Sequence, residues 1–107
     1  MITIDQFREL ELKVGTVKSA DPHPNADRLV VLRVDLGGGE ERQIVAGIRA
    51  HYAPEALVGR QIVVVANLAP ATLRGVESQG MLLAASSGER VVLVRPDEAV
   101  DPGAVVR

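Results

Sequence analysis

An all-β sandwich or barrel is predicted, on three observations. Apolar residues recur with period two along several short segments. Those segments return at intervals of about ten residues. Glycine and proline punctuate nearly every gap between them. The chain has 107 residues, 47% hydrophobic and 24% charged. That length suits one domain, and that apolar fraction is enough to fill one core.

The elements follow in order. Thr3-Ile4-Asp5-Gln6 fits a capping box, with Ile2 and Phe7 in the flanking staple positions. A helix over residues 4–11 is expected, plugging one end of the core with Phe7 and Leu10. Residues 12–20 read as the first strand, with Gly15 marking a bulge or sharp bend. Residues 28–36 alternate, with Val30, Leu32, Val34 and Leu36 on one face. Gly37-Gly38-Gly39 turns the chain into a third strand, residues 42–48. Residues 52–58 suit a single helical turn, with Pro54 early and Gly59 past its end. Residues 61–66 are a β-branched run, the fourth strand. Residues 79–85 form the fifth. Gly88 turns into a sixth, residues 90–95. Pro96 and Pro102 interrupt the tail, and Ala104-Val105-Val106 adds a short edge strand.

A bent first strand and a helical turn between strands three and four suit an OB-type five-stranded barrel. The short N-terminal helix and the extra C-terminal strands are additions to it. Two connections stand out, residues 21–27 and residues 67–78. They are the loops with which such barrels hold nucleic acids or saccharides.

Composition excludes several functions. The absence of cysteine removes disulfides, thiol catalysis and cysteine-ligated zinc. No apolar run is long enough to span a membrane, and the N-terminus has no signal-peptide core, so a cytoplasmic protein is expected. Phe7 and Tyr52 are the only aromatics. Two rings cannot make the stacking platform of a sequence-blind single-strand binder. A nucleic acid bound here is therefore held by phosphate contacts and shape. The net charge is −2. Between residues 42 and 76, however, Arg42, Arg49, Arg60 and Arg74 face Glu55 alone.

Ser78 sits in Gly75-Val76-Glu77-Ser78-Gln79-Gly80, one residue out of step with a nucleophile elbow. His23 lies near Asp21 and Asp27, but the spacing matches no metal-ligand pattern, and it reads as a surface loop histidine. Glu40-Glu41 makes the glycine run unfit to cradle phosphate. No catalytic residue, metal or cofactor is expected. Asn25 caps a local turn entered through Pro24. Arg28, Arg42 and Arg74 are the candidate phosphate contacts, since guanidinium forks match phosphate geometry and all three lie in or beside the two loops or at the start of strand three. Met81 reads as a core residue at a strand start.

Many ordered segments together resemble a known family. They include Ile4-Asp5-x-Phe7, Leu12-Lys13-Val14-Gly15-x-Val17 and His23-Pro24-Asn25-Ala26-Asp27-Arg28-Leu29. Arg42-Gln43-Ile44-Val45-Ala46-Gly47-Ile48, Asn67-Leu68-x-Pro70 and Arg74-Gly75-Val76-x-Ser78-Gln79-Gly80-Met81 continue the match. Together they are similar to the tRNA-binding domain found as a free-standing dimeric protein and at the C-terminus of many bacterial methionyl-tRNA synthetases. The resemblance implies non-catalytic tRNA binding by shape. Its implied contacts are Arg28, Arg42, Asn67, Arg74, Ser78 and Met81. It also implies a homodimer joined partly through residues 91–107, and methionyl-tRNA synthetase as a partner. The short lead before the helix favours a free-standing protein over a synthetase domain. A secretion-related chaperone of the same fold is the alternative, favoured by the acidic balance of charge.

Overall fold

The computed structural model describes all residues, Met1–Arg107. Helix α1 (Ile4–Phe7) precedes the long strand β1 (Leu12–Pro22). Strands β2 (Val30–Asp35) and β3 (Glu41–Ala46) follow, then helix α2 (Pro54–Leu57) and strand β4 (Gln61–Val65). The chain continues through β5 (Ala71–Leu73), β6 (Val76–Ser78), β7 (Met81–Leu82), β8 (Ala84–Ser87), β9 (Arg90–Leu93) and β10 (Val105–Val106). The antiparallel order β3-β2-β1-β4-β7 makes a nearly closed five-stranded barrel, with β10 added beside β1. The expectation of an all-β barrel with a small N-terminal helix and extra strands holds.

β1 serves two neighbours. Its first half pairs with β4, from Leu12↔Val65 to Thr16↔Gln61, and its second half with β2, from Thr16↔Asp35 to Pro22↔Val30. The register slips between Val17 and Ser19. The bulge therefore falls there rather than at Gly15, which stays in step opposite Ile62. Gly15 answers a different need. A Cβ on it would lie 2.3 Å from Val34 Cγ1, so the barrel wall is too close for any side chain.

The alternation along β2 faces Val30, Leu32 and Val34 inward, where they pack with Ile44, Leu57, Ile62 and Val64. β4 is buried on both sides. Ile62 and Val64 join that core, while Val63 and Val65 join Leu12 in a second cluster covered by Phe7, Leu83 and Val106. A strand with two covered faces is a continuous β-branched run. The capping box forms as expected, Thr3 and Gln6 each bonding the other's backbone N–H. The helix stops at Phe7, short of the expected residue 11, and Leu10 stays exposed.

Two expectations change. The segment 67–78 is not an open loop, because β5 and β6 form a hairpin in it. Its two-residue turn, Arg74-Gly75, has both φ angles positive, at 52° and 90°. That is the geometry of a type I′ turn. The segment 79–85 is not one strand. β7 pairs with β4, and β8 leaves the barrel to pair with β9. The C-terminal edge strand forms as expected. Gly103 N–H donates to the Val14 carbonyl and Val14 N–H to that of Ala104.

Candidate nucleic-acid interface

The barrel closes between β3 and the β6–β7 segment through side chains instead of a full ladder. Val45 N–H donates to Ser78 Oγ, and Ser78 Oγ donates to the Gly80 carbonyl, both at 2.9 Å. Gln43 N–H donates to Gln79 Oε1, and Gln79 N–H returns a bond to the Gln43 carbonyl. Arg42 bonds the carbonyls of Ala66 and Gln79. Its charge is matched by Glu40, 2.6 Å away. Asn67 uses both ends of its amide on the segment after α1, accepting from Glu11 N–H and donating to the Glu9 carbonyl.

This seam sorts the six candidates. Ser78 is only 4% exposed and bonded on both sides within the chain. Arg42 and Asn67 are committed to backbone carbonyls and amides of their own chain. Met81 stands at the barrel rim, 46% exposed, not in the core as its place at a strand start suggested.

Arg28 and Arg74 come together. Asn25, Ala26, Asp27, Arg28 and Leu29 form one wall of a shallow cleft of about 440 Å³, and Arg74 stands on the other. Both arginines are exposed, and no carboxylate lies within 4.0 Å of either guanidinium. Arg74 is the only non-glycine residue with positive φ. A left-handed arginine costs about 1–2 kcal/mol, and such strain gathers at ligand-holding segments. Its Nη2 donates to the Asn25 carbonyl at 3.2 Å.

His23 corrects the surface reading. It is 4% exposed and bonds backbone on both sides, in its own loop and in β5. Nδ1 accepts Asn25 N–H at 2.9 Å, and Nε2 donates to the Leu73 carbonyl at 2.9 Å. The local half of this was readable. A histidine between two prolines, two residues before Asn25, has a stiff backbone that suits an i+2 turn bond. The partner fifty residues away was not.

Neither aromatic is free to stack. Phe7 covers the second core cluster. The Tyr52 hydroxyl accepts Leu93 N–H, and Arg60 lies over its ring at 5.4 Å. The cleft can therefore do two things. It can grip anionic oxygens with two guanidinium forks, and it can match a shape.

No helix is long and apolar enough to cross a membrane. The family model described as "Putative tRNA binding domain" matches residues 12–105. The methionine–tRNA ligase of Thermococcus kodakarensis is 55% identical over 99% of this chain, which spans 14% of that protein's length. Among solved structures, a MetRS-related protein from Pyrococcus horikoshii has a TM-score of 0.92 and 41% identity, covering 100% of this chain and 98% of that one. The chaperone CsaA from Bacillus anthracis has a TM-score of 0.90 and 31% identity, over 100% and 99% of the two chains. The barrel, the paired loops and these matches lead to one conclusion: the chain belongs to the tRNA-binding domain family.

Proposed function

We propose that this chain binds tRNA without catalysis, gripping its phosphates and reading its shape. The observation that carries this is the convergence of Arg28 and Arg74, from two separate loops, on one cleft with no carboxylate partner for either. Folded tRNA presents clustered phosphates that need no base readout, which suits a domain without free aromatics. Met81 adds an apolar contact at the rim. Arg42, Asn67 and Ser78 support the site from behind, by holding the seam and the N-terminal segment. A net charge of −2 makes the affinity modest and salt-sensitive.

Homodimerisation belongs to the proposal. α1 and β10 flank an apolar groove of about 440 Å³, where Ile4, Leu10 and Val105 are exposed. A second copy seated there would cover them and double the number of clefts, raising avidity without new contacts. Cooperation with methionyl-tRNA synthetase in the cytoplasm is the setting proposed, supported by the relatives that carry this domain.

Competition tests the reading. Labelled tRNA is displaced by unlabelled tRNA and resists unstructured RNA of equal length and duplex DNA. Equal displacement by all three would refute shape recognition. The likeness to a chaperone favours a second reading, a protein-binding module. Suppression of client aggregation at stoichiometric amounts, with no tRNA bound, would establish it.

A further inference from the structure

One buried histidine holds together the loops that build the cleft. Asn25 N–H points at His23 Nδ1, so that nitrogen is the bare acceptor. The ring proton then sits on Nε2 and goes to the Leu73 carbonyl. Leu73 immediately precedes Arg74, the strained turn residue. Arg74 Nη2 returns to the Asn25 carbonyl. The circuit runs from loop backbone to imidazole to hairpin backbone, then from guanidinium back to the loop.

We propose that His23 is a positioning residue for tRNA binding: its neutral imidazole fixes hairpin β5–β6 against the loop at residues 23–29 and so sets the spacing of Arg28 and Arg74. The proposal rests on the tRNA-binding reading above. β5 and β6 pair only with each other, three residues a side. So short a hairpin does not hold an orientation alone. Several bonds hold its base on β3, through Glu77, Ser78 and Gln79, whereas the end that carries Arg74 is held by the His23 ring. The Arg74 guanidinium, already bonded to the Asn25 carbonyl, needs little ordering when the phosphates arrive.

A double-mutant cycle on the whole chain tests this, with tRNA affinity as the readout. In His23→Asn, the amide oxygen lies near the position of Nδ1 and keeps the Asn25 bond, but the shorter side chain cannot reach Leu73. Loss of one such bond is expected to weaken tRNA binding about threefold to tenfold. In the Arg74→Ala background the same change is expected to alter affinity less than about 1.5-fold, because the group being positioned is gone. Equal losses in both backgrounds, or no loss in the first, would overturn the proposal. A wild-type chain that binds no tRNA would overturn the binding reading and the proposal together, whereas binding that survives only His23→Asn unchanged removes the proposal alone. The unmutated protein gives a second test. Imidazole nitrogen spectra are expected to show His23 as the neutral Nε2–H tautomer, and the Nδ1–H tautomer would refute the clasp.

Discussion

Ser78→Ala separates the seam from the ligand surface. The wild-type hydroxyl accepts from Val45 N–H and donates to the Gly80 carbonyl, inside the barrel. The methyl of alanine does neither. A buried N–H left without a partner costs about 1–3 kcal/mol, and the lost donor to Gly80 adds to it. A total of about 2–3 kcal/mol is expected. For a domain of this size each kcal/mol moves Tm by about 4–8 °C, so a fall of about 10–20 °C is predicted. Thermal unfolding by circular dichroism measures it, and amide exchange at Val45 localises it. At temperatures where the variant is folded, tRNA affinity should stay within about twofold of wild type. A variant with unchanged Tm and a large loss of tRNA affinity would refute the reasoning and place Ser78 on the ligand.

Three other perturbations test separate parts of the account. Arg42→Met removes the donor to the Ala66 and Gln79 carbonyls. It should lower stability by about 1–3 kcal/mol in urea titrations while leaving tRNA affinity nearly unchanged. A large affinity loss without destabilisation would return Arg42 to the phosphate-binding set. Gly15→Ala adds a methyl that collides with Val34 Cγ1 unless the barrel wall shifts. Overpacking of this kind costs about 1–3 kcal/mol, so an unshifted melting curve would contradict the close wall. Val105→Glu puts a charge on a side chain that is 62% exposed beside the apolar groove. Sedimentation should show the proposed dimer for the wild type and a shift towards monomer for the variant; a monomeric wild type or an equally dimeric variant would refute this interface.

Much of the barrel was legible because its signals are local. The alternation from Val30 to Leu36, the β-branched run of β4 and the Thr3–Gln6 capping box each lie within a few residues. The hairpin β5–β6 was hidden because its turn is Arg-Gly, where a type I′ turn prefers Asn-Gly. The break between β7 and β8 was hidden because residues 79–85 keep one apolar pattern while their pairing partner changes from β4 to β9. The candidate site was half legible. The two loops and two of the arginines could be picked out from their positions alone. The roles of Arg42, Asn67, Ser78 and His23 could not. Each bonds a backbone group at least two dozen residues away, which no local pattern encodes. Those residues also explain why the matching segments are so distinctive. Arg42-Gln43 and Ser78-Gln79-Gly80 are the two lips of the barrel seam: the first four each close a bond through the side chain, and Gly80 has a φ of 147° and no room for a Cβ beside Ile44 and Val65.

The central claim is that Arg28 and Arg74 neutralise phosphates of a folded RNA. It is tested most directly by tRNA affinity against salt for the wild type and for the variant carrying both Arg28→Ala and Arg74→Ala. Each phosphate contact contributes about 0.7–0.9 to the slope of log affinity on log salt. The double variant is predicted to bind more weakly with a slope shallower by about 1.4–1.8, and to melt at the wild-type temperature within about 5 °C. The same slope and the same affinity in both proteins would contradict the account.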